Sequence, residues 1–230
     1  MKSKLNNSVI IFSKYPREGK VKTRLAKSYG DKFAVEFYRS CAEHIFKECL
    51  KLIQKGVQVC VFYPDENDKH EILDWVPRKF DLYNQIGSSL GDKITNAFNF
   101  VFNNGADNAL IIGTDIPDIT SELIITGIDY LQNVDVVVGP SLDGGYYLLG
   151  MNQFYKNLFV DVQWSTSSVL NQTLKNVKNE NLKIKLLPEL TDIDTDKDLL
   201  NWIQKETIND SDSFRSEFRR IIERNKILIV

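Results

Sequence analysis

Hydrophobic residues along this chain come in short, evenly separated runs. SVIIF (8–12), VQVCVFY (57–63), NALIIG (108–113), VDVVVG (134–139) and KIKLL (183–187) are rich in β-branched residues, and several are apolar at consecutive positions. An alternating run would leave one face in water, whereas an unbroken one predicts a strand covered on both faces. YYLLGM (146–151) follows VDVVVG after a Gly-rich connection and predicts an added antiparallel strand.

Between the strands the period changes. Over residues 31–55, Phe33, Phe37, Cys41, Ile45, Cys49 and Leu52 recur at steps of three or four, laying one apolar stripe along a helix that Gly56 stops. Ile94, Ala97, Phe98 and Val101 do the same in SSLGDKITNAFNFVFNNG, ending near Gly105. TSELIITGIDYLQ predicts a third helix, capped by Thr120 and with Glu122 in its first turn. Strands alternating with helices predict an α/β fold, a single domain over residues 1–230 with a mostly parallel central sheet flanked by helices and right-handed crossovers. Phe214, Phe218, Ile221 and Ile222 share one helical face and predict a C-terminal helical extension over residues 207–230. No repeat, low-complexity segment or linker marks a second domain.

In sheets of this kind ligands gather at the carboxyl ends of strands. After the first strand, SKYPREGKVKTRLAK predicts one loop carrying Lys14, Arg17, Lys20, Lys22, Arg24 and Lys27, with Glu18 the only acid among them. Like charges so crowded repel unless solvent or an anion absorbs their field, so the loop is either a solvated surface or a seat for a phosphorylated ligand. It matches neither GxxxxGK[ST] nor GxGxxG. Any phosphate here is held by side chains, Arg forking onto paired oxygens and Lys acting as a point charge.

Acids close three later segments. LIIGTDIPDIT runs a strand directly into Asp115, where a carboxylate is costly unless solvated, paired or bonded, and where Mg²⁺ or Mn²⁺ shared with ligand phosphates fits. Asp118 reads as an acid biasing the helix that starts at Thr120. VVVGPSLDGGYYLLG places Asp143 beside Gly144 and Gly145, either in an ordinary hairpin turn or facing Asp115 as acceptor-binding group or general base. TDIDTDKDLL alternates Asp192, Asp194, Asp196 and Asp198. Its spacing fails the EF-hand pattern, Thr195 or Asp196 starts a helix, and Asp194 is left able to face the same metal or substrate.

Composition narrows the rest. Of 230 residues, 43% are hydrophobic, and 29 Lys and Arg face 31 Asp and Glu. The resulting charge of -2 gives no whole-protein field toward nucleic acid or membrane. Cys41, Cys49 and Cys60 form no CxxC and read as reduced core residues. With only His44 and His70 beside them, a His/Cys metal site is not expected. The N-terminal apolar run is shorter than the roughly seven or more residues of a signal peptide, and nothing approaches the roughly 20 of a membrane span, so a cytoplasmic protein is expected.

FSKYPREGKVKTRLAK, QIGSSLGDKITNAF, LIIGTDIPDIT, VVVGPSLDGGYYLLGM and VQWSTSSVLNQT, in this order and approximate spacing, resemble the bacterial glycosyltransferase-like family associated with arsenosugar biosynthesis. The resemblance covers roughly residues 8–205. That family is similar to nucleotide-diphospho-sugar transferases of the type A glycosyltransferase fold, and also to guanylyltransferases that share a basic loop and an Asp at this strand end. The resemblance implies a nucleoside diphosphate sugar donor, a small-molecule acceptor and Mg²⁺ or Mn²⁺. It places Lys22 and Arg24 on nucleotide phosphates, to which the charge of the same loop adds Lys14 and Lys20 as candidates, and it puts Gln85, Gly87 and Asp92 near the nucleotide. The same resemblance implies that Asp115 holds the metal and Asp143 serves the acceptor. DIDTDKDL looks like the DIDTPEDL of related nucleotidyltransferases but departs from it at Asp196 and Lys197, and Asp194 is carried as a second metal candidate. Trp164 reads either as acceptor-pocket wall or as core. Glycosyl transfer leads, nucleotidyl transfer releasing pyrophosphate is the alternative, and a noncatalytic nucleotide-binding protein is the third reading.

Overall fold

Asn7–Phe12 forms strand β1, whose four central residues are fully enclosed. The enclosure has two sides. Val9 and Ile11 face one hydrophobic cluster while Ile10 faces another, so a run of consecutive apolar residues is satisfied by the two-residue alternation of a strand. The computed structural model describes residues 6–64, 69–204, 214–216 and 218–219.

The elements that follow are α1 (Thr23–Tyr29), α2 (Asp31–Gln54), β2 (Gln58–Tyr63), α3 (Lys69–Trp75), β3 (Asp81–Asn84), α4 (Leu90–Asn103) and β4 (Asn108–Gly113). After them come α5 (Ser121–Tyr130), β5 (Val136–Pro140), β6 (Tyr146–Met151), a 3-10 turn (Lys156–Phe159), α6 (Val169–Asn179), β7 (Ile184–Leu186) and α7 (Asp196–Gln204). The strands form one seven-stranded sheet in the order β3-β2-β1-β4-β6-β5-β7. All neighbours are parallel except β6, which runs antiparallel to both β4 and β5. This is a single α/β domain with a mostly parallel sheet, as the sequence predicts.

Helices α2, α3 and α5 cover one face through residues such as Ile45, Ile72 and Ile124. Helices α4 and α6 and the 3-10 turn cover the other through Phe98, Val177 and Leu158. Each such side chain, fully buried, contributes about 1.5–3 kcal/mol. A third cluster lies at one end, where Leu25, Phe37, Ile193, Trp202 and Phe218 bring α1, α2, α7 and the C-terminal segment together. Asp118 clamps this end. Its Oδ1 accepts from Trp202 Nε1 at 2.9 Å and from Arg215 at 2.6 Å, while the guanidinium lies 4.9 Å from the Trp202 ring centre. Asp118 is thus a long-range anchor in addition to preceding α5, whose N-cap is Thr120 accepting from Leu123 N–H. Of the expected extension over residues 207–230, only Phe214, Arg215, Ser216, Phe218 and Arg219 are described; the rest lies outside the described residues.

Candidate active site

The chain leaves β1 toward β2 on one side and returns through β4 on the other, so the carboxyl ends of β1 and β4 open a crevice where the strand order reverses. Tyr38, reaching up from α2, forms its floor. The phenol oxygen lies 2.9 Å from Thr114 Oγ1 and 3.5 Å from Ser13 Oγ, and accepts Lys14 N–H at 2.9 Å. Burial first, and the nearby Asp115 carboxylate second, raise its pKa and keep the phenol neutral.

Beyond Ser13 the basic segment turns at Arg17–Lys20, where Lys20 N–H bonds Arg17 C=O and Gly19 takes φ +70°, a conformation that suits glycine. The loop then ends earlier than the sequence predicts. Lys22 caps α1 and Arg24 and Lys27 lie on that helix, because Leu25 drops into the end cluster and fixes one face of a short helical turn. Arg17 is also diverted, pairing with Glu71 at 2.7 Å outside the crevice.

Lys22 is the centre of the site. Its backbone is left-handed (φ 44°, ψ 43°), a conformation costing a side-chain-bearing residue on the order of 1 kcal/mol. That backbone turns the side chain inward until only 2% of it is exposed. Nζ lies 3.1 Å from Asp115 Oδ1, 3.0 Å from Asp192 Oδ1 and 2.9 Å from Asp194 Oδ1. Burial alone would push the ammonium down, but the Asp115, Asp192 and Asp194 carboxylates outweigh it and hold Lys22 well above the usual lysine range. One cation cannot satisfy three anions. Burial raises Asp192 to about 7 against the pull of Lys22, and the charges of Asp115 and Asp194 add to the rise. The alternation seen in the sequence explains the geometry: the segment before α7 is extended, so Asp192 and Asp194 turn to the site while Ile193 is fully buried among apolar residues.

Around this cluster lies a cleft of about 610 Å³, with Lys14, Lys20, Lys22, Arg24, Gln85 and Asp115 in its wall. A second cavity of about 480 Å³ shares Arg24, Asp115 and Asp194 with the first and continues to Asp143, Ser141 and Trp164. Asp143 and Asp115 therefore meet across one space. The β5–β6 connection is the hairpin that its glycines allow, and Asp143 Oδ1 accepts Gly145 N–H at 2.9 Å. The close approach at these glycines is by protein: a Cβ on Gly144 (φ +87°) would lie 2.1 Å from Ser167 O, so only glycine lets this hairpin touch the loop at Ser167. Trp164 stacks on Phe159 of the core and also lines the second cavity.

The QIGSSLGDK segment is divided. Gln85 lines the cleft with Nε2 donating to Phe62 C=O. Asp92 is engaged by the start of α4, accepting from Ser88 Oγ at 2.7 Å and Ser89 N–H at 3.0 Å, and Gly87 (φ +138°) leaves room for it, since a Cβ there would meet Asp92 Cβ at 2.5 Å. Both residues have a local part in shaping the helix start. Tyr38, Asp192 and Ser141 are site residues that sequence reasoning missed; only Asp192 carried a signal, its two-residue spacing from Asp194. Among the described residues no three or more His, Cys, Asp or Glu side chains close on a metal position by themselves, and no helix is long and apolar enough to cross a membrane.

Residues 48–166, just over half of the chain, match the model of the family described as "Uncharacterized protein conserved in bacteria (DUF2064)". The chain belongs to this family. No curated protein matches this chain. Among solved structures, one from Desulfovibrio desulfuricans G20, whose assignment as a nucleotide-diphospho-sugar transferase is itself a proposal, matches with TM-score 0.88 at 28% identity over 97% of each chain. CMP:2-keto-3-deoxy-manno-octonic acid synthetase complexed with CTP matches with TM-score 0.56 at 12% identity, over 94% of this chain and 99% of that one. Rv0371c complexed with manganese, from Mycobacterium tuberculosis H37Rv, matches with TM-score 0.52 at 12% identity, over 86% and 97%. At 12% identity the last two show the fold alone.

Proposed function

We propose that this DUF2064 protein is a metal-assisted glycosyltransferase that moves a sugar from a nucleoside diphosphate sugar to the hydroxyl of a small acceptor. The observation that carries the reading is the pair of joined cavities at the strand-order reversal, cationic at one end and carboxylate-bearing at both. Lys14, Lys20 and Arg24 would take the donor phosphates, Arg24 by its planar fork. Lys22, already committed to three carboxylates, would fix their positions and mute their repulsion of the donor. Asp143, held through one oxygen by Gly145 N–H, keeps the other to orient or deprotonate the acceptor hydroxyl.

Two carboxylates with phosphate oxygens are a donor set a divalent cation accepts. The Asp115 and Asp194 side chains remain 47% and 41% exposed, and Asp194 Oδ2, 3.8 Å from Arg24, would have to exchange that partner for a metal whose shell phosphate completes. Asp115 and Asp194 would hold it, and once bound it would offset charge on the leaving diphosphate.

The likeness in fold to CMP:2-keto-3-deoxy-manno-octonic acid synthetase supports a second reading, nucleotidyl transfer, in which the same cations grip a triphosphate and pyrophosphate leaves. A thermal-shift screen of nucleoside triphosphates, diphosphates and diphosphate sugars with Mn²⁺, Mg²⁺ or EDTA separates them. Binding at a hundredfold excess over Kd stabilises by about 2.7 kcal/mol. The largest metal-dependent shift is expected with a diphosphate sugar; the largest with a triphosphate favours the second reading, and none at all rejects both.

A further inference from the structure

The two joined cavities differ in charge. Lys14, Lys20 and Lys22 line the first and not the second. In the second, the cation of the wall is Arg24, which stands at the junction 3.8 Å from Asp194 Oδ2, and Asp143 is added to Asp115, Asp192 and Asp194. Asp143 also borders a smaller cavity of about 330 Å³, whose wall carries Arg24 again with Asp198, and with an Asp118 already neutralised by Arg215 at 2.6 Å. A divalent cation and a donor diphosphate cancel to first order, so their arrival leaves this asymmetry in place.

The same wall carries an unused hydroxyl. Ser141, 4% exposed, follows β5 and lines the second cavity, and its Oγ has no hydrogen-bond partner among the described residues. A buried hydroxyl left unpaired is unfavourable, and one that meets a ligand donor or acceptor is relieved of that cost. Ser165 and Ser167 line the same space beside the Asp143 carboxylate. Hydroxyls and carboxylates together recognise O–H and N–H groups, and a phosphate there would meet unneutralised aspartate.

Resting on the transferase reading, we propose that the half of the cleft bounded by Ser141, Asp143 and Trp164 takes an uncharged or cationic hydroxyl compound as acceptor and excludes its phosphorylated counterpart. Asp143 sets this selectivity by charge, and Ser141 contributes a hydrogen bond.

The test uses matched pairs, a polyol, a hexose and an amino alcohol, each free and as its phosphate ester, with the purified full chain. Binding is followed by the change in Trp164 emission, with Trp164→Phe as the blank, so no donor or turnover is needed. The free member of at least one pair is expected to bind about tenfold or more tighter than its ester, and Asp143→Asn is expected to narrow that gap about tenfold. Esters binding as well as free compounds, a gap that Asp143→Asn leaves unchanged, or no binding by any pair would overturn the inference. Mass spectrometry with diphosphate-sugar donors distinguishes the two levels. Sugar transfer onto an ester rejects this selectivity and keeps the transferase reading, whereas selective binding with no transfer from any donor rejects the transferase reading and keeps the selectivity.

Discussion

Tyr38 Oη stands 2.9 Å from Thr114 Oγ1 while it accepts Lys14 N–H at 2.9 Å, so one buried phenol joins the ends of β1 and β4. Removing only that oxygen, by Tyr38→Phe, keeps the ring packed and leaves both partners without it. Stability should fall by about 1–3 kcal/mol in urea denaturation. Nucleotide affinity should fall with it, because Lys14 and Asp115 sit directly beyond the joint; an unchanged affinity would show that the joint does not position them.

Lys22→Met leaves three carboxylates facing one another without their shared cation. A broken, fully buried pair costs about 3–5 kcal/mol. Here Asp115 and Asp194 keep nearly half of their side-chain surface in water, so about 1–3 kcal/mol is expected by chemical denaturation at neutral pH. Added Mn²⁺ should recover more stability in this variant than in the parent protein.

The same cluster makes stability depend on pH with a definite sign. Asp192 is raised to about 7 in the folded chain, against about 3.9 when unfolded. Between those values the folded state holds a proton that the unfolded state has lost, so stability should decline as pH rises from about 4 through about 7. Asp192→Asn should flatten that part of the profile. Lys22, held above the lysine range, acts with the same sign at the alkaline end: its contribution persists through mild alkali and is lost only as pH rises through its elevated folded pKa.

Gly91 lies under the Trp164 indole, where an added Cβ would come within 2.1 Å of Nε1. Gly91→Ala must therefore shift either Trp164 or the first turn of α4. A loss of about 1–3 kcal/mol is expected, together with a red shift of tryptophan emission as Trp164 moves toward solvent.

Most of the sheet was legible because its strands are apolar on both faces; β1, β2, β4, β5, β6 and β7 lie where the runs predict them. Strand β3, DLYN, escaped because it has four residues and a partly exposed surface, and its pairing with β2 is a tertiary fact. Helix α1 escaped because its sequence is charged and Leu25 is its one buried residue. Helix α6 buries Val169, Thr173 and Val177, and a threonine in the stripe breaks the apolar period. At the site, Asp115 and Asp143 announced themselves at strand ends. The meeting of Lys22 with Asp192 and Asp194 spans 170 and 172 residues, a distance over which no local pattern carries information.

Cations that serve a leaving diphosphate must release that diphosphate when sugar is transferred. Phosphorus NMR of a reaction holding a diphosphate sugar, a triphosphate, divalent metal and the acceptor panel reads the leaving group directly. Nucleoside diphosphate is expected to appear in step with glycosylated acceptor, with Asp115→Asn suppressing both. Pyrophosphate appearing from the triphosphate, while the diphosphate sugar stays intact, would contradict glycosyl transfer.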